Sequence, residues 1–172
     1  LWGYEARLTD QSYLHIPRGK VVGGSSAINA LMFLRGIPED FDLWSNSCGK
    51  EWSYESLLPY FKQLEKDHDF KDKYHGNKGP ISVRRFEIDE CDPIQKAFYS
   101  ACIKYGFDRC PDHNNPETSG VGPIPLNLCG RTRISSMIGY LNPVRSRDNI
   151  DIMPNTLVRK ILFESRKAIG LE

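Results

Sequence analysis

Two glycines followed by two serines, Gly23-Gly24-Ser25-Ser26, form the part of the sequence best suited to hold a ligand. Without side chains, adjacent glycines let the backbone approach a ligand closely. A serine at the cap position before an apolar run predicts the amino end of a helix, where free N–H groups and the helix dipole attract anions. Asn29, in the first turn of that helix, could add an amide against a heterocycle. The segment therefore suits a dinucleotide.

The same four residues also fit a tight turn and a helix cap that bind nothing. They are not a nucleotide-triphosphatase phosphate loop, because no Gly-Lys-Ser/Thr follows a four-residue spacer. Taken alone, these residues leave the turn and the ligand site as alternatives.

Histidines and cysteines are the other side chains that could be reactive. His68 and His113 stand among acidic residues, which favours solvated positions. No CxxC pair and no His–Cys spacing of a zinc site occurs, so we predict no metal centre. The odd number of cysteines, five, fits either unpaired core thiols or a disulfide framework that is incomplete in this chain, and we favour mostly unpaired thiols.

Helices and strands together must position these residues. Asp92 and Pro93 predict a helix start, and apolar residues at helical spacing continue to a stop at Gly106. This apolar stripe contains Ile94, Ala97, Phe98, Ala101, Cys102 and Tyr105. Ser53 predicts a second helix cap, and Pro59 predicts a break in that helix or the start of another.

Strands are predicted at 80–86, 150–153, 156–164 and 168–172, and the last two form a hairpin around a charged turn. Loop-rich stretches are predicted at 1–24, 67–79 and 108–132. Structureless loops of such length are uncommon in a self-contained domain, which suggests that this chain normally wraps around other structure.

Composition excludes some partners. The 172 residues suffice for one domain of ordinary size, and 23 basic against 22 acidic residues give a net charge of +1. We predict no nucleic-acid partner, because binding to phosphate backbones needs a basic patch. We also predict no membrane span, because no stretch approaches the roughly 18 consecutive apolar residues that a span needs.

A longer pattern points to a family. The run from Pro17 to Phe33, continued by 35–42, resembles the first sequence signature of the glucose–methanol–choline (GMC) oxidoreductases. That signature requires Gly-Gly-Ser-Ser and then Asn or His, an aromatic residue, Pro and an acidic residue at fixed distances, and Asn29, Phe33 and Asp42 fit it. Later segments also resemble the family, namely 52–62, 74–76, 79–83, 133–143 and 157–162. The chain is most similar in character to insect secreted glucose dehydrogenases that bind FAD.

The resemblance implies an α/β fold and an internal piece of a longer enzyme. The piece would contain part of a Rossmann-like FAD-binding domain and the start of the GMC substrate-binding domain. Residues 1–75 would belong to the FAD-binding domain with its flavin attachment loop and lid, residues 76–130 to the substrate domain and connecting loops, and residues 131–172 to the return into the FAD-binding domain. Asp40 and Asp42 would be surface or capping residues.

The resemblance also implies FAD as cofactor and assigns ten residues to it. The pyrophosphate and ribityl chain would lie along Val21, Gly23, Gly24, Ser25 and Ser26. The isoalloxazine edge would be lined by Asn29, Ala30, Leu31 and Met32, partly through backbone N–H groups. Adenine would contact the backbone of Val158. Some members bind flavin covalently through a histidine just before the Asn29 position. Ile28 stands there in this chain, so we predict non-covalent FAD.

The implied reaction is the oxidation of a CH–OH group of a small alcohol or sugar, with hydride transfer to the flavin. The family's base is a histidine near the carboxyl terminus that nothing in this chain matches, so we predict no catalytic residue here. His75 would lie near the flavin in a packing or gating role, or else in solvent. The alternative function is a non-catalytic relative that serves as a secreted binding or structural protein.

The electron acceptor, oxygen or quinone, and the cellular destination stay open, and only the resemblance favours secretion. An internal piece should expose apolar surface that the rest of the enzyme covers. We therefore expect residues 1–172 alone neither to fold stably nor to hold flavin.

Overall fold

Helices and short two-stranded sheets alternate along the chain. The computed structural model describes all 172 residues as two units, Leu1–Asn142 and Pro143–Glu172, and each is described by itself. The first unit contains six strands and three α-helices, and the second contains two strands. This mixture of helices and strands agrees with the predicted class.

An antiparallel hairpin opens the first unit. Strand β1 (Trp2–Thr9) pairs with β2 (Ser12–Arg18) from Trp2 opposite Arg18 to Thr9 opposite Ser12. The prediction of a loop over residues 1–24 is therefore wrong for most of that stretch. Both strands are largely exposed on both faces, so they lack the alternation of apolar and polar residues that a half-buried strand shows.

Two helices follow at a shared aromatic cluster. Helix α1 (Pro38–Cys48) begins where a carboxylate oxygen of Asp40 accepts the Ile37 N–H at 3.2 Å, and Asp42 is exposed, as predicted. Helix α2 (Tyr54–Leu64) begins after the predicted cap Ser53, whose Oγ accepts the Ser56 N–H at 3.3 Å.

Helix α2 continues through Pro59, so the predicted break at that residue is wrong. Proline removes a single backbone donor. Packing holds the helix on both sides of it, because the rings of Tyr54 and Phe61 lie 6.0 and 5.5 Å from the ring of Phe41 in α1.

The predicted third helix is confirmed, but its apolar stripe is uncovered. Helix α3 (Pro93–Tyr105) begins after Asp92 and ends at Gly106. The side chains of Ile94, Phe98 and Tyr105 are 84%, 66% and 87% exposed.

Short strands form the core of the first unit. Strand β3 (Glu65–Asp67) is parallel to β4 (Ile81–Val83), and β5 (Leu128–Cys129) is antiparallel to β6 (Thr132–Arg133). Leu126 pairs with both Met32 and Arg84, so the chain before β5 lies between two other segments. The buried apolar cluster consists of Ile81, Val83 and Ile134, with Phe33 and Ile138 packed against it.

The second unit is a hairpin preceded by irregular chain. Strand β7 (Ile161–Glu164) pairs antiparallel with β8 (Lys167–Leu171) around the predicted turn. The strand predicted at 150–153 does not form, and the strand predicted at 156–164 is limited to β7. Pro154 and the left-handed Asn155 (φ 56°) interrupt the extended backbone there.

Much apolar surface stays exposed. Seven hydrophobic residues are buried, whereas 29 large hydrophobic residues are exposed. The accessible surface is 13070 Å², whereas a compact monomer of this mass has about 8,600 Å². None of the helices has both the length and the apolar character needed to cross a bilayer.

We therefore expect residues 1–172, produced alone, to lack a cooperative unfolding transition and to bind a dye that reports exposed apolar surface. Circular dichroism during urea titration, with dye fluorescence in parallel, provides the measurement. A single sharp transition with little dye binding would contradict this expectation.

Candidate functional site

The double-glycine segment forms a tight turn rather than the start of a long helix. Gly23 (φ 94°) and Gly24 (φ 56°) are left-handed, and the Gly24 N–H donates to the Val21 carbonyl at 2.8 Å. A single 3₁₀ turn, Gly24–Ala27, follows. The predicted helix through Ile28, Leu31 and Met32 is therefore wrong, and so is the placement of Asn29 in its first turn. One short turn offers N–H groups to a ligand but little helix dipole.

Both serines of the turn are used to brace it. Ser25 Oγ accepts the Gly19 N–H at 3.2 Å. Ser26 Oγ donates to the Gly23 carbonyl at 2.5 Å and accepts the N–H of Ser136 at 2.9 Å. Sequence reasoning missed Ser136, because nothing local signals a partner 110 positions away. These bonds set the shape of the turn without a ligand.

One position of the turn is open. A Cβ added to Gly19 would lie 2.2 Å from the Gly24 carbonyl oxygen, and one added to Gly23 would lie 3.0 Å from Met137 Cβ. A Cβ added to Gly24 would meet nothing within 4 Å. Backbone at Gly24 is therefore accessible to a ligand, and the side chain of Val21, 56% exposed, is accessible as well.

In residues 29–33, backbone N–H groups that donate a hydrogen bond within the chain alternate with N–H groups that do not. The N–H groups of Asn29, Leu31 and Phe33 donate to oxygens of the chain at 2.9–3.1 Å. Those of Ala30 and Met32 donate to none, and both residues are exposed. Two donors on one exposed segment are thus available to a ligand.

A residue with a strained backbone, Leu31, lies between the two free donors. Leu31 has a φ of 68°, a region that costs a residue other than glycine on the order of 1 kcal/mol. Asn29 Oδ1 accepts the Leu31 N–H at 3.1 Å, which diverts the backbone from helical bonding. The same oxygen accepts a hydrogen bond from Arg133 Nη1.

Nine of the ten predicted cofactor residues therefore lie on one segment, Val21–Met32. The tenth, Val158, belongs to the second unit, where it is 49% exposed and precedes β7. Next to it, the N–H of Arg159 donates to the carbonyl of Glu172 at 2.7 Å.

Of the histidines with a predicted environment, one differs from its prediction, and for another the structure excludes one of two alternatives. His68 is exposed, as predicted, with Nε2 2.6 Å from Ser82 Oγ. His113 is half-buried rather than solvated, with Nε2 3.2 Å from the Gly122 carbonyl. The alternative of a solvated His75 is wrong, since its side chain is fully buried. All five cysteines are free, as favoured.

His75 lies in a buried ion-pair network that the sequence did not reveal. The network contains three carboxylates and three basic side chains, namely Glu65, Asp67, Asp112, Arg35, Arg85 and His75. His75 Nδ1 lies 3.1 Å from Asp67 and 3.2 Å from Glu65, and its Nε2 lies 2.8 Å from Asp112.

Two arginines complete the network. Arg35 Nη2 lies 2.6 Å from Glu65, and Arg85 contacts Asp67 at 2.9 Å and Asp112 at 2.6 Å. With a protonated His75 the six formal charges sum to zero. Such neutrality is what makes buried charges tolerable.

Protonation follows from these contacts. Burial alone would lower the pKa of His75, but hydrogen bonds to Asp112, Asp67 and Glu65 raise its pKa to about 11. Burial opposes ionisation of Asp67 and Asp112, but the hydrogen bond from His75 and other donors holds the pKa of each carboxyl below its usual value. His75 is therefore an imidazolium at neutral pH.

The network contains residue types that bind metal ions, but its carboxylates are already paired with positively charged side chains. Ligand atoms of Glu65, Asp67 and His75 lie within 4.8 Å of one another. Both ring nitrogens of His75 face carboxylates, however, and a guanidinium contacts each of the two acidic residues. A metal ion would have to displace a proton from His75, so we assign the cluster as ion pairs.

Comparisons with known proteins identify the family. A family model described as GMC oxidoreductase matches residues 3–172. A GMC-type oxidoreductase of Rhodococcus erythropolis, named as uncharacterized, is 38% identical over 171 residues, or 99% of this chain and 34% of that protein. Oxygen-dependent choline dehydrogenase of Vibrio vulnificus is 36% identical over 163 residues, or 95% of this chain and 29% of that protein. The crystal structure of pyridoxine 4-oxidase from Mesorbium loti matches with a TM-score of 0.90 and 31% identity, over 99% of this chain and 34% of that one.

The chain therefore belongs to the GMC oxidoreductase family, and its fold matches the amino-terminal FAD-binding domain of these flavoproteins. This confirms the predicted fold class and FAD as the cofactor of the family. The narrower likeness to insect glucose dehydrogenases is not confirmed, because the relatives include choline dehydrogenase and pyridoxine 4-oxidase. The chain spans about a third of the length of the relatives named above.

The residues present fit FAD in two respects. Bare, open backbone at Gly24 lets a pyrophosphate approach the turn closely, because no Cβ stands in the way. Free N–H groups at Ala30 and Met32, beside the 54% exposed Met32 side chain, suit a flat ring with carbonyl oxygens and ring nitrogens at its edge.

We expect His75→Gln to lower the free energy of unfolding of the full-length protein by about 3 kcal/mol, because it leaves three buried carboxylates with only two cations, Arg35 and Arg85. The control is His15→Gln, whose side chain is 81% exposed and whose effect should stay within about 0.5 kcal/mol. Urea denaturation measures both.

This loss should depend on pH. The raised pKa of His75, about 11, means that its contribution is fully present below the unfolded value near 6.5 and disappears as pH rises through 11. The difference between wild type and His75→Gln should thus be larger at about pH 6 than at about pH 10. Equal differences at both pH values would show that His75 is not charged in the folded protein.

Proposed function

We propose that this chain supplies the flavin-binding turn, and the adjoining part of the substrate domain, of an FAD-dependent oxidoreductase that oxidises the CH–OH group of a small alcohol or sugar. The observation that carries this proposal is the open backbone at Gly24, which the serines of the turn hold in place without a ligand. Membership of the GMC family supports it.

In this proposal the pyrophosphate and ribityl chain lie along Val21, Gly23, Gly24, Ser25 and Ser26. Here the serines act by shaping the backbone, since their hydroxyls are engaged within the chain. The isoalloxazine edge lies along residues 29–32, and adenine contacts the backbone of Val158. Binding is non-covalent because Ile28, which cannot form a bond to flavin, precedes Asn29.

The chemistry divides between the cofactor and the chain. FAD, when bound, accepts the hydride from the CH–OH carbon. The chain's residues orient the ring and donate hydrogen bonds to it, and we assign no catalytic base among them. In the same proposal residues 1–75 belong to the FAD-binding domain, 76–130 to the substrate domain and 131–172 to the return into the FAD-binding domain.

The substrate is proposed only as a class. Relatives carry the names choline dehydrogenase and pyridoxine 4-oxidase, and choline and pyridoxine are small molecules with an oxidisable alcohol. A glucose dehydrogenase-like activity is the narrower hypothesis. A second candidate, a flavin-fold relative without catalysis, predicts bound flavin and no turnover.

Purification of the full-length protein tests the proposal. We expect yellow protein that releases FAD on acid precipitation, and bleaching of the flavin by at least one of choline, pyridoxine and glucose under anaerobic conditions. Reoxidation by oxygen or by a quinone then identifies the acceptor. Bound flavin that no alcohol or sugar reduces would favour the non-catalytic relative, and colourless protein that takes up no FAD would refute the proposal.

Substitution at Gly24 tests the binding turn with a close control. Gly24 (φ 56°) and Gly130 (φ 58°) have nearly the same positive φ angle, and a Cβ at either meets nothing within 4 Å. Alanine should therefore cost similar strain at both positions. We expect Gly24→Ala to weaken FAD binding by about tenfold or more, equivalent to at least ~1.4 kcal/mol, and Gly130→Ala to leave it unchanged. Flavin fluorescence titration measures both, and equal affinities would contradict the proposed contact.

A further inference from the structure

A side chain distant in sequence holds the part of the segment that we assign to the isoalloxazine edge. We propose that Arg133 is a positioning residue, which fixes Asn29 and the strained Leu31 so that the N–H groups of Ala30 and Met32 remain available to the flavin ring. This inference rests on the proposed function, because it concerns how the same site is shaped.

Arg133 and Leu31 donate to the same acceptor. Asn29 Oδ1 accepts hydrogen bonds from both Arg133 Nη1 and the Leu31 N–H. The guanidinium therefore orients the carboxamide, and the carboxamide in turn holds the N–H of Leu31. Through this shared oxygen, a side chain 104 positions away constrains the local backbone.

The strained backbone of Leu31 requires such support. A leucine with a φ of 68° lies in a region that residues other than glycine rarely adopt. On its carboxyl side, the Leu31 carbonyl accepts the Asn127 N–H at 3.0 Å. On its amino side, the bond to Asn29 Oδ1 is the hydrogen bond that fixes the Leu31 N–H. Loss of Arg133 would free the Asn29 amide to rotate.

Arg133 also places a positive charge beside this segment. Arg133 forms no ion pair with a carboxylate, so its charge is not neutralised within the chain. A cation beside two free N–H groups creates a positive potential where an electron-rich ring edge would lie. Such a potential favours electrons on a nearby acceptor.

Arginine-to-methionine substitution at two neighbouring positions provides the test. Arg131→Met is the control, because Arg131 lies in the β5–β6 turn two residues before Arg133 and is exposed, and its replacement changes the net charge equally. We expect Arg133→Met in the full-length holoenzyme to shift the flavin midpoint potential to a more negative value. We also expect kcat to fall by about ten- to hundredfold while KM changes by less than about twofold. Arg131→Met should leave the potential and both kinetic constants unchanged.

Two further variants distinguish positioning from loss of folding. Arg133→Lys keeps the charge but replaces the planar guanidinium with a compact ammonium group. Relative to Arg133→Met, it should therefore restore most of the midpoint potential and part of kcat. Asn29→Ala should resemble Arg133→Met in kcat, and the double variant should be no worse than the poorer single variant, because both act through one oxygen.

The outcomes separate the two hypotheses. A wild-type protein without flavin would refute the proposed function, and the inference with it. A wild-type flavoprotein in which Arg133→Met and Arg131→Met have the same potential and kcat would overturn the inference alone. Additive losses in the double variant would also overturn it, because Arg133 and Asn29 would then act independently.

Discussion

The first unit depends on a neutral cluster of charges in its interior. With only seven buried hydrophobic residues, the chain has little apolar core, and the ion pairs around His75 join segments that the short sheets do not. Two hydrogen bonds connect this cluster with the end of the segment Val21–Met32, which we propose binds flavin. Asp112 accepts the Asn114 N–H at 3.0 Å, and the Asn114 side chain donates to the Phe33 carbonyl at 2.9 Å. Because these bonds are directional, the cluster fixes where the segment ends as well as how the chain folds.

Local chemistry made part of this structure predictable. Ser53, Asp92 and Pro93 act within one helical turn, so their patterns give the helix starts correctly. The charged turn after Glu164 likewise gives the last hairpin. The opening hairpin was not predictable in this way, because strands exposed on both faces have no alternating pattern.

Long-range contacts explain what the sequence did not show at the site. The Gly-Gly-Ser-Ser pattern identified the segment, but Asn29 ends the helical bonding that the pattern suggested, and its partner Arg133 is far along the chain. Similarly, the acidic residues of the network are spaced at 65, 67 and 112, and no local motif connects them with Arg35 or Arg85. Residues so far apart in the sequence become neighbours only in the folded chain, so their positions in the sequence do not predict the network.

The segment combines strain with firm support at both ends. Ser136 braces the glycine turn, and Asn114, which also accepts the Arg35 N–H at 3.0 Å, holds the other end near Phe33. A left-handed Leu31 persists only if its surroundings outweigh its cost. Free N–H groups on such a backbone are arranged before any ligand arrives, so binding loses less conformational entropy than it would on a flexible loop. A rigid polar interior beside an exposed, preorganised backbone is therefore the physical basis for the flavin site that we propose in a chain with so small an apolar core.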